Sequence, residues 1–235
     1  MADGSNLTCA FSHRQLGNMS LFYGDTEGAF IHRRRFLEPL GMDYRDLVCA
    51  GQIHSDRIHY VTEQDKGKGA SSHEASITDT DALITDKKDL PLAIFTADCL
   101  SVFLYDPVRP AIGLIHAGWR GSKENITLKA LQRMQEVFQT DPACLRAGFG
   151  PAIGACCYEV RQDVRANFSA GFKEEDNRYY LDLASINEKQ LLDLGVKAEN
   201  VIHDFICTSC RNDDFFSYRK EGKGCGRIMS VMMLK

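Results

Sequence analysis

The chain has 235 residues, with 28 Lys and Arg against 32 Asp and Glu and a formal net charge of −4. Hydrophobic residues make up 44% and charged residues 26%, which argues against wholesale disorder and leaves enough chain for a substantial core. The charge balance offers no electrostatic reason to expect nucleic-acid or anionic-membrane binding, and no apolar run approaches the roughly 20 residues of a membrane span.

The N-terminal run MADGSNL lacks the basic start and apolar core of a secretory signal, so a cytoplasmic protein is expected. Cysteines stand at 9, 49, 99, 144, 156, 157, 207, 210 and 225. Their odd number and irregular spacing argue against a disulfide framework and for mostly reduced thiols.

The Arg-rich stretch 30–40 predicts a helix stopped near Pro39 and Gly41, and 47–50 and 58–61 predict short strands flanking GQIHS. The polar run 63–76 predicts a loop, disordered or functional. Apolar runs predict strands at 92–95, 102–105 and 111–115, the last running into HAGWRG at 116–121. Ile126, Ala130, Met134, Val137 and Phe138 recur at helical spacing, so a helix is expected over 122–138. A strand at 145–149, helices at 162–168 and 183–194, and strands at 201–207 and 228–234 complete the expectation. Strands and helices interleave without a linker or repeat, so the class is α/β or α+β, and periodicity leaves both open.

Three candidate ligands, His54, Cys99 and His116, lie at or beside predicted strand ends. Imidazole and thiolate suit zinc, which in catalytic sites takes three protein groups and keeps a fourth position open. The separations form no local metal signature, and the plainer reading makes Cys99 a small buried hydrophobe and His54 a loop residue. Asp98 beside Cys99 is either an orienting group, a general base or a turn acid. In HAGWRG the glycines permit close backbone approach, and Arg120 with the following helix start is a candidate anion holder. A tight turn in which Trp119 merely packs is the alternative. The P-loop ending and the base-deaminase signature are both absent. Cys207 and Cys210 form a lone CxxC with no second pair, which argues against a zinc ribbon; adjacent Cys156 and Cys157 read as packing. Met229, Met232 and Met233 read as core rather than copper ligands.

GNMS (17–20) with Gly24 and Asp25, QIHS (52–55), TADC (96–99), HAGWRG (116–121) and GPAIGACCYEV (150–160) together resemble the laccase-domain family. FFSYR (215–219) and Gly226-Arg227 resemble its C-terminal block; Ser101 departs from the proline that often follows TADCL. Bacterial members were labelled multicopper polyphenol oxidases and later described as purine nucleoside phosphorylases. The resemblance runs from about residue 11 to 234 and implies one α+β domain over 1–235, with α/β/β/α layers and mixed sheets. It implies a zinc site from His54, Cys99 and His116, the trio that the residues themselves suggest. On that chemistry Cys99, His116, Asp98 and Arg120 are the expected catalytic group, with Arg120 and the helix start holding phosphate. The implied activity is phosphorolysis of adenosine, inosine, guanosine and S-methyl-5′-thioadenosine, with adenosine deamination. Purine nucleosides and phosphate are then the partners; Asn18, Gln52 and Tyr218 are the expected nucleoside contacts, and Trp119 either stacks on the base or packs in the core. A monomer is expected, with a homodimer as the alternative.

Two rival readings follow from the same residues. A copper-dependent phenol oxidase needs about ten His and Cys ligands for its cluster, and the chain has seven histidines, none in an HxH pair. A Cys/His hydrolase acting on cell-wall precursors takes Cys99 as nucleophile and His116 as base.

Overall fold

The computed structural model describes residues 6–235, so most of the N-terminal run read for a signal lies outside the described residues. Its strands are β1 (Leu7–Phe11), β2 (Val48–Cys49), β3 (Ile58–Tyr60), β4 (Ala82–Thr85), β5 (Leu92–Thr96), β6 (Leu100–Asp106) and β7 (Ala111–Ala117). After them come β8 (Arg146–Phe149), β9 (Glu159–Val160), β10 (Phe172–Glu175), β11 (Arg178–Leu181), β12 (Val201–His203) and β13 (Ile228–Leu234). The helices are α1 (Ala29–Leu37), α2 (Trp119–Lys123), α3 (Ile126–Phe138), α4 (Gln162–Arg165), α5 (Leu183–Asp193) and α6 (Tyr218–Glu221).

Side-chain alternation along the strands builds the layers. A four-stranded sheet runs β1-β13-β5-β2 and a six-stranded sheet β12-β8-β6-β7-β4-β3, each with both parallel and antiparallel pairs. On β6, Phe103 and Tyr105 join Leu92 and Ile94 of β5 and Met232 of β13 in the core between the sheets. Val102 and Leu104 point the other way, onto Ala130, Leu131 and Met134 of α3 and Leu191 of α5. On the outer face of the four-stranded sheet, Ala93, Met229, Val231 and Met233 pack against Phe36 and Leu37 of α1. The order is therefore helix, sheet, sheet, helix, as expected. The three methionines pack in these cores.

Several elements differ from expectation for identifiable reasons. The helix expected over 122–138 is two helices, broken where Asn125 adopts a left-handed backbone at φ 59. That conformation is tolerated best by glycine and asparagine. Buried Asn187 of α5 spans the break, donating to Ser122 Oγ at 2.8 Å and accepting from Thr127 Oγ1 at 2.7 Å. The strand expected over 201–207 stops at His203, because Phe205 takes φ 42 and turns the chain toward an isolated bridge between Cys207 and Ala152. β1, β4 and the small β10-β11-β9 sheet were not anticipated. The polar run 63–76 opens with a capped turn in which Asp65 accepts from Thr62 N, and later carries His73 to stack on Phe22. Among the described residues, no helix is long and apolar enough to cross a membrane.

Candidate active site

The three-residue turn from β5 to β6 crosses from one sheet to the other and carries Cys99. β7 of the six-stranded sheet delivers His116 near its end. The loop after β2 swings His54 against both: its Nε2 lies 3.9 Å from Cys99 Sγ, and its ring meets that of His116 at 4.8 Å between centroids, inclined by 75°. One ligand atom from each of the three falls within 4.8 Å of the others.

A buried carboxylate organises this trio. Asp81, fully buried just before β4, accepts from His116 Nδ1 at 2.7 Å. It also accepts from the backbone N–H groups of His54 at 3.0 Å and Ser55 at 2.6 Å, and from Ser55 Oγ at 2.7 Å. The same anchor therefore orients one imidazole and holds the loop bearing the other. His54 sits at φ 62, a left-handed backbone that is uncommon outside glycine. Gly118 lets the chain pass close: a Cβ there would lie 3.0 Å from both Cys99 Sγ and His54 Cδ2.

Burial by itself would raise the Cys99 thiol, but His116 and His54 beside it outweigh that and bring it down to about 6. Burial would lower the His116 imidazole, while the Cys99 sulfur and the Asp81 carboxylate push it up to about 9. A thiolate facing imidazoles is the donor set that a borderline-soft cation takes. With Nδ1 of His116 bonded to Asp81, its Nε2 is left to act as a ligand. Zinc–sulfur bonds of about 2.3 Å and zinc–nitrogen bonds of about 2.0–2.1 Å in a tetrahedron set sulfur and nitrogen about 3.5 Å apart, against 3.9 Å between Cys99 Sγ and His54 Nε2. The residues fit a single zinc ion with an open position.

The trio floors a cavity of about 530 Å³. Trp119, Arg120, Gln52, Asp98 and Tyr218 line it, as do Tyr23, His73, Phe95, Tyr158, Arg219 and Arg227, which sequence reasoning missed. Arg120 lies over the Trp119 ring at 4.8 Å. α2 is only five residues long, so Arg120 rather than a helix terminus is the cationic feature at that edge. Asp98, at φ 90, accepts from Thr208 Oγ1 and from Arg219 N, both at 2.6 Å, and so fastens the C-terminal segment to the wall. Gln52 exchanges two hydrogen bonds with the Phe95 backbone, at 2.7 and 2.9 Å. Asn18 lies off the cavity wall. Its amide donates to the Tyr23 and Asp25 carbonyls at 2.7 Å, and its Oδ1 accepts from Ser20 N and Arg227 N at 3.0 and 2.8 Å. It shapes the loop that presents Tyr23 and ties that loop to the backbone of Arg227.

The family model described as multi-copper polyphenol oxidoreductase laccase matches residues 10–235. The chain belongs to this family. It is 30% identical over 228 residues to the purine nucleoside phosphorylase YlmD of Bacillus subtilis (strain 168), covering 93% of this chain and 82% of that protein. It is 31% identical over 205 residues to the adenosine deaminase RL5 of an unknown prokaryotic organism, covering 83% and 78%. The crystal structure of YlmD from Geobacillus stearothermophilus superposes with a TM-score of 0.93 at 30% identity, covering 98% of this chain and 92% of that one.

Proposed function

We propose that this member of the family is a cytoplasmic zinc-dependent enzyme of purine nucleoside metabolism. Its reactions are phosphorolysis of adenosine, inosine, guanosine and S-methyl-5′-thioadenosine, and deamination of adenosine. The observation that carries the reading is the His54–Cys99–His116 donor trio on the floor of an aromatic- and arginine-lined cavity of about 530 Å³, a size suited to a small ligand. The names of the phosphorylase and deaminase relatives support the substrate class.

A zinc ion held by the trio supplies a Lewis acid with an open coordination position. The chain's own groups do the rest. Asp81 fixes the His116 tautomer and the His54 loop. Arg120 holds phosphate by charge-assisted hydrogen bonds, and Arg219 and Arg227 add positive charge to the same wall. Trp119 and Tyr218 offer flat faces to the purine. Attack by a phosphate oxygen on C1′ breaks the C1′–N9 bond, and the electron pair leaves with the purine. In deamination, water adds at C6 and ammonia departs.

The family's multi-copper description fits the chain poorly. Among the described residues, only two groups of three or more candidate ligands come together, and His54 and His116 are the sole histidines in them. The lowered Cys99 thiol beside His116 suits a Cys/His hydrolase equally, so the two chemistries are separated by inhibition. The test is metal quantification alongside a nucleoside panel with and without phosphate. Cys99→Ala is expected to abolish inosine phosphorolysis and metal at this site, and a chelator to inhibit the wild type. Turnover retained by the variant, or inhibition by a thiol alkylator but not by a chelator, overturns the reading.

A further inference from the structure

Beyond the trio, four of the remaining eight cysteines converge. Cys156 and Cys157, in the loop after β8, meet Cys207 and Cys210 from the segment after β12, and one sulfur from each lies within 4.8 Å of the others. Cys210 Sγ is 3.6 Å from Cys156 Sγ and 3.4 Å from Cys157 Sγ. These separations are far beyond a disulfide bond of about 2.05 Å and close to the edge of about 3.8 Å that a zinc–sulfur tetrahedron has. The CxxC at 207–210 does therefore have a second pair, supplied from about fifty residues earlier.

We infer that Cys156, Cys157, Cys207 and Cys210 form a second metal site, separate from the cavity centre, which takes a zinc ion as a structural clip. The donor set is all sulfur, which selects against magnesium and calcium. Donors and room for it are already in place. Gly154 N–H and Cys210 N–H point at Cys207 Sγ, the former at 3.3 Å, and such bonds stabilise a thiolate. Gly154 itself leaves space, since a Cβ there would lie 3.3 Å from Cys156 Sγ. Binding exchanges thiol protons for the cation, with no change of oxidation state.

The clip's position gives it a task. The backbones of the two segments meet at an isolated bridge, with Ala152 N donating to Ile206 O at 3.1 Å and Thr208 N to Ala152 O at 3.0 Å. On one side of the cluster, Thr208 holds Asp98; on the other, the Cys157 and Glu159 carbonyls accept from the Arg219 guanidinium at 3.3 and 2.9 Å. Closing the four sulfurs on a cation locks the backbone that carries Arg219 to the cavity wall.

The test counts zinc per chain by native mass spectrometry and elemental analysis on protein prepared without added metal. Wild type is expected to carry about two zinc ions, Cys99→Ala to keep one, and a Cys207→Ser/Cys210→Ser double variant to lose the other. Should the double variant not fold, the Cys99→Ala protein decides. Its Cys156, Cys157, Cys207 and Cys210 should resist iodoacetamide until the bound zinc is stripped, and its cobalt-loaded form should show the intense near-ultraviolet band of a tetrathiolate. Metal-free Cys99→Ala with these four thiols freely alkylated, iron in place of zinc, or a mass lowered by disulfide formation each overturns the inference.

Discussion

Asp81 and His116 face one another at 2.7 Å because β4 and β7 pair antiparallel with Ala82 opposite Ile115, which sets the residue before β4 beside the histidine. The carboxylate also holds the His54 loop, so one buried group governs two of three candidate ligands. Asp81→Asn keeps the volume but turns an amide N–H₂ toward donors. Metal affinity at the cavity centre is expected to fall about 10–100-fold, the usual effect of losing such a partner. Competition against a chromogenic chelator measures it; unchanged affinity counts against the arrangement.

Gly118→Ala tests the close packing beneath the same centre. The added methyl would press on Cys99 Sγ and the His54 ring at 3.0 Å, moving ligands without removing any. Weaker zinc binding and lower turnover are expected, with far-ultraviolet circular dichroism unchanged. Wild-type affinity would show that the ligands have slack.

Arg120→Gln separates phosphate from nucleoside. Losing a charge-assisted hydrogen bond costs about 1.5–3 kcal/mol, so KM for phosphate should rise roughly 10–100-fold. Deamination of adenosine, which uses no phosphate, should change little. An equal fall in both reactions would instead place Arg120 against the nucleoside.

Asn187→Ala removes the buried bridge across the α2–α3 break and leaves Ser122 and Thr127 without it. Stability is expected to drop by about 2 kcal/mol or more. Urea unfolding gives the value, and a loss below about 0.5 kcal/mol would mean that water or a neighbour replaces the amide.

Asp65 makes stability depend on acid. Burial would raise its carboxyl, but Lys68 at 2.7 Å, the Thr62 N–H and His59 outweigh that and hold it well below the usual carboxylate range. A depressed folded pKa contributes stability above the unfolded value of about 3.9, and that contribution is lost as pH falls below it. The Tm of wild type should therefore fall more steeply between about pH 5 and pH 3 than that of Asp65→Asn. Parallel curves would remove Asp65 from the account.

Strands buried on both faces were the most legible elements. β6 and β7 carry continuous apolar runs at 102–105 and 111–115, and β13 has the bounds expected for it. The β10–β11 hairpin went unread although Asp176-Asn177, both left-handed, is a two-residue turn signal between strands. Its strands are half-exposed and charged, so hydrophobic patterning misses them. The α2–α3 break was hidden because the apolar spacing begins only at Ile126, and the polar residues 122–125 before it carry no pattern that would separate a helix start from a left-handed turn.

Residue patterning by itself placed the chain among α/β or α+β proteins, and the resemblance to the laccase-domain family added the layered arrangement. His54, Cys99 and His116 stood out because ligand-type side chains beside apolar strand ends are visible in one dimension. Tertiary structure decided which groups act on them. Asp81 is 35 residues from His116 in sequence and reaches it only through strand register. The cysteines show the same division: read along the chain, nine thiols fit a reduced protein with one CxxC lacking a partner. In space, two adjacent thiols from a loop more than fifty residues away complete a four-sulfur cluster, because an isolated bridge at Ala152 and Cys207 brings the segments together. Spacing reports only neighbours along the chain, whereas hydrogen bonding and metal binding depend on distances set by packing.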